Sequence, residues 1–368
     1  MSFIVLKNNL RDALLIAERA LGENINLPVL KCLSFNINKS DISISSTNLE
    51  IGINTTFSAK ILEQGNFLIQ AKLLSTLISN IPSERINIEK KENTLEVKSD
   101  NYEAVIPITT SEEFPIIPEI ENKKYFIEIN GNFLIESFSQ VAQAVQFSEI
   151  RPEISGVFFN FDLNSITLVG TDSFRLAEKK IQSTNFKSNY TQGFKCIIPI
   201  KTIQECIKIF KKDETVKIFL DENQILFKNN QTELISRLLE GNFPDYTSII
   251  PKEKETEIEV DKNEFINALK FVGSSNQSIY EVKIIAHFEK KYFEIQSTEK
   301  SSGKLKTTIP AKIKGKNNEI IFNWQFILDG LKNTQEKTTT FILNGNSRPA
   351  LIQSENNQYF YILMPIKQ

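Results

Sequence analysis

Residues 169–180 read VGTDSFRLAEKK, and Asp172, Ser173 and Arg175 put a carboxylate, a hydroxyl and a guanidinium side by side. Such a trio could be the working end of an enzyme. It also suits a polar turn between two strands, because Asp and Ser hydrogen-bond their own backbone and tolerate tight geometry. On residue chemistry alone the turn is favoured, since little elsewhere could complete a catalytic set. The one histidine, His287, lies in the alternating stretch KIIAHFEKKYF, which argues against a histidine triad or a multi-histidine zinc site. Cys32, Cys196 and Cys206 sit in apolar runs with no paired spacing, as expected in a reducing compartment. SSGK at 301–304 lacks the first glycine of a phosphate loop. Carboxylates are many but scattered, so no spacing argues for a metal, and no cofactor is expected.

Two further stretches stand out. EGNFPDYTSIIP, residues 240–251, mixes breakers (Gly241, Pro244) with apolar Phe243, Tyr246, Ile249 and Ile250. It reads as a loop pinned by aromatic anchors, or as an apolar surface that receives a partner. The C-terminal YFYILMPIKQ is too apolar for a free tail, and Pro365 does not suit a central strand.

The elements that must position these residues come in repeats. FIVLKNNLRDALLIAERAL from Phe3, FIEINGNFLIESFSQVAQAV from Phe126 and EIEVDKNEFINALKFVGSSN from Glu257 each read as a strand followed by a helix. A second series aligns without gaps: LIQAKLLSTLI from Leu68, IIPIKTIQECI from Ile197 and IFNWQFILDGL from Ile321. There Pro199 suits a helix start and Asn323 can cap. Six hairpins fill the rest, among them VFFNFDLNSITLVG and TTTFILNGNSRPALIQS. The fold class expected is α+β: three similar domains, each with two helices packed on antiparallel sheets. Boundaries are placed at 1–124, 125–254 and 255–368, near the charged stretches ENKKYF and PKEKETEIEV. A chain of 368 residues with net charge -2 suits a soluble multi-domain protein with no global attraction to polyanions. No apolar run is long enough to cross a membrane and no signal peptide is evident, so a cytoplasmic location is expected.

LPVL at 27–30, TDSFRLA at 171–177, EGNFPDY at 240–246 and MPI at 364–366, in that order on a threefold repeat, resemble the bacterial DNA polymerase III β subunits, the sliding clamps. The resemblance spans the whole chain. It implies a homodimeric head-to-tail ring around duplex DNA, with helices lining the hole. It implies no catalytic activity, only a processivity tether for the replicative polymerase. Implied partners are double-stranded DNA, a second copy, the polymerase catalytic subunit, the clamp loader, and repair polymerases, ligase and mismatch-repair proteins. Rival readings are a metal-dependent carboxylate enzyme and a monomeric protein-binding scaffold.

By position, the resemblance assigns a peptide pocket to Ile154, Thr171, Phe174, Arg175, Leu176, Pro244, Ile249, Asn323, Phe326, Pro349, Ile362, Leu363, Met364, Pro365 and Ile366. Arg175 and Asn323 would form a polar rim. DNA contacts are expected from Arg11, Arg19, Lys72, Arg151, Lys201, Lys208, Lys211 and Lys212, with the last four on the second helix of the middle domain. The ring joint would place Ala104 and Ile106 of one copy against Val272 and Ser274 of the other. Asn24, Pro152, Glu153, Ser248 and Lys367-Gln368 depart from the residues common in the family.

Overall fold

The computed structural model describes residues 1–109, 114–121, 123–274, 280–297, 304–334, 336–354 and 356–367. Residues 301–303 of the SSGK stretch, Asn122 in the first boundary stretch and Gln368 lie outside the described residues. The helices are α1 (Lys7–Ala17), α2 (Ala71–Asn80), α3 (Gly131–Ala142), α4 (Ile200–Ile209), α5 (Lys262–Gly273) and α6 (Trp324–Lys332). They follow short strands, as both repeat series require. α1 buries Leu10, Ala13, Leu14 and Ala17, and α5 buries Phe265, Ala268, Leu269 and Val272. That spacing lays one apolar stripe along a helix. Asp261 caps α5 by accepting from the N–H groups of Asn263 and Glu264, and Asn323 caps α6 by accepting from that of Gln325. Pro199 ends the strand Phe194–Pro199 and stands one residue before α4. None of the described helices is long and apolar enough to cross a membrane.

The chain divides into two compact units. The first takes Met1–Asn132, Phe186–Tyr190 and Glu205–Leu238. It holds a five-stranded sheet of Lys60–Glu63, Ser2–Leu6, Arg85–Lys91, Thr94–Ser99 and Tyr102–Pro107 in spatial order. Its second sheet has nine strands: Phe186–Ser188, Ile127–Asn130, Thr215–Leu220, Gln224–Lys228, Thr232–Arg237, Ile51–Phe57, Ile42–Thr47, Cys32–Ile37 and Gly65–Gln70. A core of Phe3, Val5, Leu10, Leu14, Phe35, Phe67, Leu74 and Ile78, with its neighbours, packs α1 and α2 against both sheets. Truncating one such leucine to alanine costs about 2–5 kcal/mol.

The second unit takes Phe133–Asn185, Thr191–Gln204 and Leu239–Gln368. Its nine-stranded sheet runs Phe194–Pro199, Gly156–Asp162, Ser165–Thr171, Arg175–Gln182, Tyr359–Leu363, Ala350–Gln353, Thr338–Leu343, Thr256–Asp261 and Lys312–Gly315. A four-stranded sheet of Lys306–Pro310, Tyr292–Ser297, Glu281–His287 and Asn318–Asn323 completes it.

Every strand pairing between named strands is antiparallel, and the six expected hairpins form, as in Phe158↔Val169 through Asp162↔Ser165. The long sheets are continuous because strands from different thirds of the chain pair side by side. In the first unit Ile51–Phe57 meets Thr232–Arg237, from Ser236↔Ile51 to Thr232↔Thr55. In the second, Arg175–Gln182 meets Tyr359–Leu363, from Arg175↔Leu363 to Lys179↔Tyr359. The middle of the chain therefore lends one half-sheet to each unit.

Candidate functional site

The turn at Asp172, Ser173 and Phe174 connects strand Ser165–Thr171 to strand Arg175–Gln182. Asp172 Oδ1 accepts from the N–H groups of Phe174 and Arg175, both at 2.9 Å. Thr171 Oγ1 donates to the Arg175 carbonyl at 2.7 Å and accepts from Ser173 N–H at 3.2 Å. These bonds hold Ser173 at φ 77°, in the left-handed region. The consequence is exposure: Phe174 stands 64% exposed.

Arg175 is no wet rim group. Its side chain is 13% exposed, with Nε 2.8 Å from Asp172 Oδ2 and Nη1 2.7 Å from Asp329 Oδ2 on α6. The guanidinium lies 4.3 Å over the Phe326 ring, a cation–π contact strengthened by desolvation. Burial opposes its charge, but Tyr361 and Asp172 outweigh burial and raise its pKa. Arg175 thus braces the turn and ties it to α6. Asp329 was not found from sequence, because no local spacing links it to Arg175.

The C-terminal tail is fastened at two points. Met364 N–H donates to the Phe174 carbonyl at 2.9 Å, and Ile366 N–H donates to the Ile321 carbonyl at 2.8 Å. The first bond sets Met364, itself 36% exposed, beside exposed Phe174, while Pro365 is buried. A cavity of about 430 Å³ borders the tail, lined by Lys283, Glu319, Ile320, Ile321, Asn346, Ser347, Ile366 and Lys367. The 240–251 loop is pinned by its aromatics. Phe243 stacks on Phe158 at 5.0 Å, Tyr246 meets Phe243 edge-on at 6.3 Å, and Tyr246 Oη donates to Glu178 Oε2 at 2.7 Å. Burial raises the Glu178 carboxyl's pKa, against the hydrogen bond from Tyr246. Ile249 is 42% exposed on this loop.

The expected pocket residues therefore divide. Phe174, Ile249 and Met364 offer apolar surface, and Arg175, Pro244, Asn323, Phe326, Pro349 and Ile366 are half-buried. Ile154, Thr171, Leu176, Ile362, Leu363 and Pro365 are buried. Leu176 and Ile362 belong to a core cluster with Val169, Ile342 and Leu351, covered by Phe243, Tyr246 and Ile250. Leu176 is 1% exposed, and alternation along its strand turns it into the packed face of the sheet, beneath Phe243, Tyr246 and Ile250 of the 240–251 loop.

The expected DNA contacts also divide. Lys72, Lys201, Lys211 and Lys212 are exposed and make no ion pair among the described residues. α4 ends at Ile209, so Lys211 and Lys212 follow the helix rather than ride on it. Arg19 lies past α1, on the turn Glu18–Ala20. Arg11 pairs with Asp12 at 3.1 Å. Arg151 pairs with Glu153 at 3.1 Å and donates to Ser173 Oγ at 3.0 Å. Arg19 and Lys208 both reach Glu205, at 3.1 and 2.9 Å.

At the expected ring joint, Ile106 (6% exposed) and Val272 (0%) are core residues. Ala104 is half-buried and Ser274 exposed. The apolar groups facing outward there are Tyr102, Val105 and Phe271. Strand Tyr102–Pro107 forms an open edge of its sheet.

Little here supports catalysis. The Cys196 thiol is pushed up to about 12 by burial, which suppresses its nucleophilic form. His287 packs against the Tyr292 ring at 5.3 Å. Among the described residues no three His, Cys, Asp or Glu side chains cluster to hold a metal.

Models of the DNA polymerase III beta subunit match in chain order: the N-terminal domain over residues 1–118, the central domain over 128–245 and the C-terminal domain over 247–367. The Beta sliding clamp of Bacillus subtilis (strain 168) is 27% identical with 100% of both chains covered, and that of Helicobacter pylori is 27% identical with the same coverage. The crystal structure of the Bacillus subtilis DNA polymerase sliding clamp superposes with a TM-score of 0.93 at 26% identity, over 100% of this chain and 99% of that one. A Pseudomonas aeruginosa sliding clamp bound to griselimycin shares the fold, with a TM-score of 0.93 at 21% identity and 100% of both chains covered.

Proposed function

This chain belongs to the DNA polymerase III beta subunit family, and on that premise we propose how it works as a sliding clamp. As a processivity subunit it performs no reaction of its own. It binds duplex DNA, the replicative polymerase and a second copy of itself. Two copies close head to tail, so that six similar domains surround the duplex. The domain boundaries fall at 124/125 and 254/255. A heterologous contact that closes gives a ring. The open strand edge at Tyr102–Pro107, with Tyr102 and Val105 outward, supports its place in that joint. Retention then depends on topology, and screened phosphate contacts from Lys72, Lys201, Lys211 and Lys212 leave the ring free to slide. The clamp works in the cytoplasm, with the chromosome.

Polymerase, clamp loader and repair proteins dock through short peptides at the turn and tail of the second unit. The observation that carries this is the bond from Met364 N–H to the Phe174 carbonyl, which makes neighbours of two residues whose apolar side chains are exposed. Apolar anchors of a peptide fit such a surface, and methionine re-packs around different ones. Light scattering tests the ring: two chains per particle at micromolar concentration are expected. A monomer at every concentration contradicts it.

A further inference from the structure

We propose that Glu205 sets how loosely the clamp holds the DNA backbone, by keeping two cations from different thirds of the chain in one shared ion pair. Glu205 Oε2 lies 3.1 Å from Arg19 Nη1, and Glu205 Oε1 lies 2.9 Å from Lys208 Nζ. The carboxylate is only 10% exposed, whereas the Arg19 and Lys208 side chains are 33% and 49% exposed. The negative charge is therefore sunk beneath the positive ones. Each cation keeps N–H groups for a phosphate, since the carboxylate engages one nitrogen of the Arg19 guanidinium and one of the three N–H donors of the Lys208 ammonium. The trio presents a net charge of one where two cations stand.

By contrast, Lys201, Lys211 and Lys212 make no ion pair among the described residues. Glu205 subtracts charge from the grip without removing a contact. For a ring retained by topology, less grip means freer sliding. The inference rests on the reading that these cations face the encircled duplex.

Salt dependence separates this tuning from a merely structural role, since each neutralised phosphate contributes about −0.9 to the slope of log affinity against log salt. The test is fluorescence anisotropy of a labelled short duplex, titrated with the full chain across a salt series. Glu205→Gln keeps the shape and one acceptor. It should steepen the slope by about one unit and tighten binding about 8-fold at 0.1 M salt. Glu205→Ala should move the same way, which guards against a variant that misfolds, and thermal scans report folding for each. Unchanged or weaker binding by folded Glu205→Gln, while Lys212→Ala weakens binding, overturns the inference and leaves the DNA reading intact. If Lys212→Ala and Lys201→Ala also bind as the parent does, the DNA reading fails and this inference with it.

Discussion

Two turns in this molecule share one hydrogen-bond skeleton. In residues 47–51, Thr47 Oγ1 donates to the Ile51 carbonyl and accepts from Leu49 N–H, both at 3.0 Å. Asn48 Oδ1 accepts from Glu50 and Ile51 N–H at 3.0 and 2.8 Å. Residues 171–175 repeat every bond, with Asp172 in place of Asn48. Leu49 and Ser173 adopt φ 76° and 77°. Each turn launches the strand that joins its third of the chain to another. The skeleton is scaffold, and function comes from what is mounted on it. The first turn carries Glu50 and buried Ile51, followed by Gly52, over which the connecting segment lays Ile117. The second carries exposed Phe174 and the Arg175 clamp to Asp172 and Asp329.

The largest way to break this contrast is Arg175→Ala. It strands the Asp172 carboxylate, whose side chain is 3% exposed, and loss of one partner of a buried pair costs about 3–5 kcal/mol. Urea unfolding followed by circular dichroism should show that loss, and a change within error of zero would mean the clamp contributes nothing. The counterpart on the first turn is Gly52→Ala. Its Cβ would meet Ile117 Cγ2 at 2.5 Å and Ile235 Cγ2 at 3.0 Å, so overpacking should cost about 1–3 kcal/mol. The matching Leu176→Ala leaves a cavity instead, and should destabilise by about 2–5 kcal/mol.

Met364→Ala sharpens the comparison functionally. Calorimetry with a polymerase-tail peptide should register a loss of about 1–2 kcal/mol, roughly 5- to 30-fold, with stability unchanged. Glu50→Ala, on the other turn, should leave peptide affinity as it was. Equal binding by both variants would detach the pocket from the second turn. The smallest effect concerns Glu178, whose carboxyl is raised by burial. A raised acid stabilises the fold below its unfolded pKa and loses that contribution as pH climbs through the folded value. Glu178→Gln still accepts from Tyr246, so its melting temperature at pH 7 should equal or exceed the parent's. That advantage should vanish below the ordinary glutamate pKa of about 4.3.

The helices and hairpins were legible because their signals are local: α1's buried stripe and the polar turn in VFFNFDLNSITLVG are written in neighbouring residues. The turn reading of Asp172 and Ser173 was legible for the same reason. The joints were not. Pairing of Ser236 with Ile51, or Arg175 with Leu363, spans about half the chain, and no local pattern encodes a partner so distant. For that reason the Asp329 contact, Glu205's two cations and the burial of Leu176 emerged only in three dimensions. Family likeness placed Val272 at the ring joint, yet the helical stripe of α5 turns it inward and leaves Phe271 outside.

Retention on closed and open DNA tests the sliding-clamp account most directly. The protein is loaded onto nicked circular DNA with a clamp loader and ATP, freed of unbound protein by gel filtration, and followed after the circle is cut. The protein should stay with the intact circle at physiological salt and leave once the DNA has ends. Equal retention on the cut and uncut DNA would contradict it.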